Sequence, residues 1–344
     1  MVVCFLTFKN LNRSTQLALM GYATTSNSVE KSLLLRDRRI RASRLGGRVP
    51  SALQHLADMS IPFNPRLDVP YFWDVHFSGE SVAESIFSKC HFLIQASEHG
   101  LKQPNFNHEK LEVFETQSGE LYVNVDMTSR HGVKRAKKLG LAQERIAEVI
   151  ISPQIYLVSS SVFDVTHRGR FFALFRHPVD RAISMYNYLG IASWDPMYNP
   201  SLKSMSLEFY AKSASAEHNW MTRFLVNKHG GRLRSEDMVV AKEILRTKCL
   251  VGLFEDLEPS MARFQVYFGW SQKQPVEQTS ACRSAVIQAG DPRLKNQEVD
   301  KESTAWQALA AVNQYDLELY EYAKALYKLQ GEQIFGIGVE QNYS

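Results

Sequence analysis

Past residue 70, apolar positions along the chain follow two rhythms. Short aromatic and β-branched runs predict strands at 71–75 (YFWDV), 121–125 (LYVNV), 155–158 (IYLV), 171–175 (FFALF) and 249–254 (CLVGLF). Between them, apolar residues at helical spacing predict helices over 82–93, 133–150, 179–189, 206–227, 235–246, 257–268 and 304–329. The unbroken run CLVGLF fits a strand covered on both faces. Strands alternating with helices predict an α/β fold: a mostly parallel sheet flanked by helices, with right-handed crossovers. Ligands of such sheets bind beyond the carboxyl ends of the strands. Two exits therefore matter most, the turn after Val75 and the turn after Phe175.

Residues 1–60 lack this patterning. Arg36, Arg38, Arg39, Arg41, Arg44 and Arg48 stand against Asp37 alone, the signature of a solvated tail or exposed helix face. The expected organisation is a basic, poorly structured segment over 1–60, one α/β domain over 61–335 and a tail over 336–344. No apolar run approaches the roughly 20 residues of a membrane span. The opening MVVCFLTF lacks the preceding basic region of a secretory signal.

Composition narrows the classes. A net charge of +4 over 344 residues is too slight for a dedicated nucleic-acid binder. No GxxxxGK[ST] occurs, which argues against an ordinary nucleotide kinase. Cys4, Cys90, Cys249 and Cys282 are scattered without zinc-site spacing, so no metal is expected. Buried thiols are the expectation, and a disulfide stays open. The sequons at Asn12 and Asn342 read as chance occurrences.

The chemistry concentrates in FFALFRHPVDRAISMYNYL, residues 171–189. A buried strand ends in Arg176, Pro178 suits the first position of a helix, and Ser184 lies eight residues past the arginine. Unpaired N–H groups at a helix start favour an anion, and a guanidinium fork matches phosphate oxygens. Arg181 serves as a second cation or as a structural partner of a carboxylate such as Asp180. The plain alternative is that Arg176 pairs with a carboxylate while Ser184 packs in the helix.

The stretch RHPVDRAISMYNYL resembles the 3′-phosphate motif of sulfotransferases, the membrane-type and algal sulfotransferase-like proteins in particular. The similarity runs from about Pro70 to about Leu329, with later landmarks in VNVDMTSRHGVKRAK, Asn219–Arg223 and VGLFEDLEPSMARFQVYFGW. It implies a P-loop-like single domain using 3′-phosphoadenosine-5′-phosphosulfate as co-substrate, with no metal. It implies that Arg176 and Ser184 hold the 3′-phosphate, and that Ser78, Gly79 and Ser81 belong to the 5′-phosphosulfate loop. The implied reaction transfers a sulfuryl group to a hydroxyl, with carbohydrate the expected acceptor class and the Golgi lumen the expected compartment.

The loop DVHFSGESV departs from that pattern. Phe77 stands where the family has lysine, Glu80 where it has a second glycine, and Val82 where it has a hydroxyl. Losing the lysine removes a cation from a charge-dispersed transition state, at a cost of about 10²–10³ in rate. Glu80 adds repulsion of a few kcal/mol at about 5 Å from a phosphate. His76, or Lys134, Arg135, Lys137 or Lys138 from a neighbouring element, would restore positive charge. Without such a rescue the chain is an impaired relative, a nucleotide-binding or scaffold module. Candidate bases are Glu84, Asp126, His91, His131 and His167, with His76 beside them as a further catalytic candidate. Trp194–Tyr198 and Asn219–Trp220 offer aromatic surface for a sugar ring or simply fill core.

Overall fold

The structure is a computed structural model. It describes residues 47–101, 109–193, 195, 197–213, 215–270, 276–290 and 299–336. The arginine run over 36–44, Cys4 and both sequons lie outside the described residues. Residues 47–323 form one compact unit, and residues 324–335 continue the last helix.

In chain order the elements are β1 (Asp68–Trp73), α1 (Glu80–Lys89), β2 (Gln95–Ala96), β3 (Val113–Glu115), β4 (Leu121–Val123), α2 (Arg130–Lys138), α3 (Leu141–Glu144), β5 (Val149–Ser152), α4 (Ile155–Ser161), β6 (Arg168–Phe175) and α5 (Pro178–Leu189). There follow α6 (Leu207–Ala211), α7 (Trp220–Leu225), α8 (Ser235–Lys248), β7 (Leu250–Leu253), α9 (Leu257–Phe268), α10 (Val276–Ala289), α11 (Thr304–Val312) and α12 (Gln314–Phe335). The sheet has seven strands in the order β3-β4-β2-β5-β1-β6-β7. Every pairing is parallel except β3 with β4. The α/β architecture expected from the alternation of runs is the one observed.

Central strands are covered on both faces, so their sequences run apolar without alternation. On one face Phe72 and Phe172 pack with Phe87 of α1 and Phe264 and Phe268 of α9, at centroid distances of 4.7–5.5 Å. On the other, Tyr71 and Trp73 meet Phe163, Phe171 and Trp220. A buried ion cluster closes the amino edge. Asp68 receives Arg168 and Arg170, whose fork also donates to the Asp58, Ile61 and Pro62 carbonyls.

Several predicted elements change type or length. Residues 155–158 are helix α4, not a strand; a four-residue apolar run cannot separate the two. The helix expected over 133–150 breaks at Gly140 and Arg145, both left-handed, and its end becomes strand β5. The helix expected over 206–227 splits into α6 and α7, with left-handed Asn219 starting the second. That expected over 304–329 breaks at Asn313. Ordered structure also begins before residue 61: Leu53, Leu56 and Ala57 are buried, and Leu56 bridges to Gly169. Cys90 and Cys282 form a disulfide between the end of α1 and α10, while Cys249 is a buried thiol.

Candidate anion-binding site

From Trp73 the chain turns through Asp74, Val75, His76, Phe77, Ser78 and Gly79 into α1. Two turn residues are left-handed, Phe77 at φ 65° and Gly79 at φ 97°. Gly79 is required twice, because a Cβ there would also come 2.8 Å from the Phe254 ring. Phe77 has no such freedom, and its conformation costs about 1–2 kcal/mol. Contacts offset that cost: its carbonyl accepts from Arg176 Nη1 at 3.0 Å, and its ring packs on Tyr188 at 5.4 Å.

Arg176 is the first residue beyond β6, which lies beside β1 in the sheet. Its guanidinium sits 4.4 Å over the Phe254 ring and is almost wholly buried. The charges of Asp180, Glu255 and Glu80 act on it. Ser184 is fully buried in α5, the helix that begins at Pro178. Arg181 donates to the His76 carbonyl at 3.2 Å and pairs with Glu217, under the Trp220 ring. Of its two expected roles it takes the structural one, although its partner is Glu217 rather than Asp180. Arg181 and Arg176 thus hold two consecutive loop carbonyls.

The departures from the family loop acquire geometry here. Glu80 folds back so that its Oε2 accepts the Ser78 N–H at 3.0 Å, a donor it shares with the Val75 carbonyl at 3.0 Å. A carboxylate therefore takes a backbone donor of the kind that would face an anion. Burial pushes Glu80 above the ordinary carboxylate range, Asp74 adds to this, and His76 opposes it. The Nδ1 of His76 lies 3.2 Å from Asp74 Oδ1, and the Asp74 charge raises the imidazole to about 9. His76 is thus protonated at neutral pH through its pairing with Asp74, whose charge it offsets. The other expected rescue fails for the residues whose contacts are defined. Arg135 donates to the Asn124 and Lys110 carbonyls. Lys137 and Lys138 share a groove with Asp164, which precedes β6 at the opposite sheet edge.

The base candidates separate in the same way. Asp126 is a turn residue whose Oδ1 accepts both the backbone and hydroxyl of Thr128. Burial raises its pKa, but bonds from Ser129 and Thr128 outweigh that and lower it. His131 is exposed in the first turn of α2. His91 is buried against Trp270. His167 pairs with Asp164 at the amino end of β6, away from the exits. Glu84 lies on α1 one turn past Glu80; burial pushes it to about 6, with His99 3.6 Å away.

Residues that periodicity did not single out complete the surroundings. Trp220 stacks on Trp73 at 5.8 Å and on Phe224 at 3.9 Å, and reaches His76 at 5.9 Å. Asn219, Asn313 and Asp316 hold this ring in place: Asn219 N–H donates to Asn313, and Asp316 accepts from Met221 and Thr222. Beyond Phe224 runs a groove of about 530 Å³ lined by Arg130, Gln154, Tyr156, Phe224, Asn227 and His229. It opens at the carboxyl end of β5, the other neighbour of β1.

Topology explains why these groups meet. After β1 the next strand, β2, lies toward one side of the sheet, whereas β7 follows β6 on the other. The crevice between β1 and β6 is therefore a switch point, where ligands of open α/β sheets bind. Compared with protein-family models and with curated protein sequences, the chain matches none.

Proposed function

We propose that the chain binds a 3′-phosphoadenosine-5′-phosphosulfate-type nucleotide at the β1–β6 crevice and transfers its sulfuryl group to a hydroxyl, carbohydrate being the favoured acceptor class. One observation carries the reading. Arg176 leaves β6 beside the β1 loop and bonds the Phe77 carbonyl at 3.0 Å, so a cation stands at the start of α1 in the switch-point crevice. On this reading Arg176 and Ser184 take the 3′-phosphate, while Ser78, Gly79 and Ser81 belong to the loop around the 5′-phosphosulfate. The Ser78 hydroxyl is enclosed with no hydrogen-bond partner among the described residues, a donor suited to an oxygen ligand.

In the proposed reaction an acceptor oxygen at the mouth of the crevice attacks sulfur in line. The bond from sulfur to the bridging oxygen breaks, and its electron pair leaves with the 5′-phosphate. Glu84 takes the acceptor proton, since a carboxyl raised to about 6 is ionised at pH 7 yet more basic than usual. The Cys90–Cys282 disulfide favours an oxidising compartment such as the Golgi lumen. No described helix is long and apolar enough to cross a membrane.

Glu80 favours a second reading. Its carboxylate already bonds the Ser78 N–H, which suits a nucleotide-binding or scaffold module without transfer activity. Titration calorimetry with 3′-phosphoadenosine-5′-phosphate tests the shared claim. Wild type should bind, and Arg176→Ala should weaken binding by at least tenfold with an unchanged circular dichroism spectrum. Equal affinity of both proteins would end the assignment. Transfer of labelled sulfate from the donor to a glycan mixture then separates enzyme from module.

A further inference from the structure

Three side chains with metal-binding atoms converge at the mouth of the β1 loop. One ligand atom each from Asp74, His76 and Glu80 lies within 4.8 Å of the others. An ion midway between the most distant two would sit at most about 2.4 Å from each, within reach of ordinary coordination lengths. His76 Nδ1 and Asp74 Oδ1 are 3.2 Å apart. Two ligands bound at about 2.1 Å and roughly 100° to one another have this separation.

A second observation is independent of that grouping. Asp74 is only 7 % exposed, and its Oδ1 is enclosed without a hydrogen-bond partner among the described residues. It faces the His76 Nδ1 at 3.2 Å. In the metal-free chain the protonated imidazole offsets the charge of that oxygen; a bound ion takes over this role, and His76 releases its Nδ1 proton to solvent. His76 meanwhile keeps 48 % of its side chain exposed, so an ion has a route in from solvent.

The charge balance points the same way. Arg176, Arg181 and Lys301, with His76 and His177 when protonated, stand among Asp74, Glu80, Asp180, Glu255 and the Glu217 partner of Arg181. At the loop itself two carboxylates, Asp74 and Glu80, face one imidazole, so a polyanion arriving there meets net negative charge. A divalent cation reverses the sign locally and turns Glu80 from a repelling group into a ligand.

We propose that Asp74, His76 and Glu80 bind a divalent cation at the loop mouth and that the bound ion recruits the nucleotide's phosphates. One imidazole and two carboxylates suit Mn²⁺ or Zn²⁺ better than Mg²⁺ or Ca²⁺, which favour all-oxygen shells. The first half stands on the cluster alone, whereas the recruitment step rests on the nucleotide reading above. The three ligands leave positions for phosphate oxygens and water. The short-range sequence pattern hides this site, because the three residues span a turn rather than a metal-ligand spacing.

The test uses Mn²⁺ on the purified full chain. Loss of the free-ion paramagnetic resonance signal should report one site in wild type. His76→Ala and Asp74→Asn should each weaken it by tenfold or more, with thermal melting in EDTA to show that the variants fold. No binding by wild type at millimolar Mn²⁺, or equal binding by both folded variants, would overturn the site. In parallel, 3′-phosphoadenosine-5′-phosphate is titrated in EDTA and in Mn²⁺. At least tenfold tighter binding in Mn²⁺, lost in His76→Ala, supports recruitment; equal affinity in both buffers overturns it. Mn²⁺ binding with no nucleotide binding in either buffer leaves the cation site standing and removes the proposed function.

Discussion

Replacing Glu80 by glutamine isolates the charge that sits in the loop. In wild type the carboxylate accepts the Ser78 N–H at 3.0 Å, so an entering phosphate must displace it and then remain beside it. At about 5 Å and an effective dielectric near 20, each pair of unit charges repels by about 3 kcal/mol. Glu80 is only partly buried, and solvent screening reduces this to roughly 1–2 kcal/mol. Exchanging a charge-assisted bond for a neutral one makes displacement easier by about 1 kcal/mol more. The sum is about 2–3 kcal/mol, so Glu80→Gln should bind 3′-phosphoadenosine-5′-phosphate roughly 30- to 150-fold more tightly in EDTA. Calorimetry in EDTA reads this without any bound cation. An affinity within twofold of wild type would mean that Glu80 does not border the phosphate position, and the placement of the anion at this loop would fail.

Gly79→Ala should destabilise the fold by about 2–3 kcal/mol in urea unfolding, because the new methyl meets both a left-handed backbone and the Phe254 ring at 2.8 Å. Glu84→Gln carries a pH signature. Burial holds the Glu84 pKa near 6 in the folded chain, above its ordinary 4.5, so the folded state binds that proton more tightly. Its contribution is therefore most favourable below about pH 4.5 and is lost as pH rises toward 6. The variant should gain up to about 2 kcal/mol on wild type across that window and hold a constant difference above it. Cys282→Ser opens a loop of 192 residues, for which chain entropy sets an upper figure of about 5 kcal/mol. Reductant should lower the wild-type urea midpoint toward that of the variant and leave the variant unmoved.

Much of the fold was legible because its central strands are short and apolar and its longer helices are periodic. The helix at 257–268 was readable to the residue. Failures fell where backbone exceptions interrupt a periodic run. Gly140, Arg145 and Asn219 are left-handed, and Asn313 ends α11; none of these is visible to a hydrophobic count. The site was half readable. Arg176 stands out as a cation at the end of an aromatic strand, and Glu80 as an acid in a turn. The Asp74 carboxylate and the Trp220 stack were not, because they depend on side-chain directions across a turn and on a helix some 140 residues away. Arg181 shows the converse: its spacing fitted an anion ligand, but Glu217, 36 residues on, had already neutralised it.

The lock on Trp220 has a consequence for how the protein is made. Asn219 and Thr222 reach partners 94–97 residues downstream, at Asn313, Tyr315 and Asp316. During synthesis, the strand, the turn and both arginines leave the ribosome long before those partners do. The aromatic floor under His76 must therefore wait for nearly the whole chain, and a nascent protein halted near residue 300 would carry the turn without its support. Loop closure over such separations is slow. Maturation of the crevice, rather than assembly of the sheet, is where translation rate and chaperones would exert their effect.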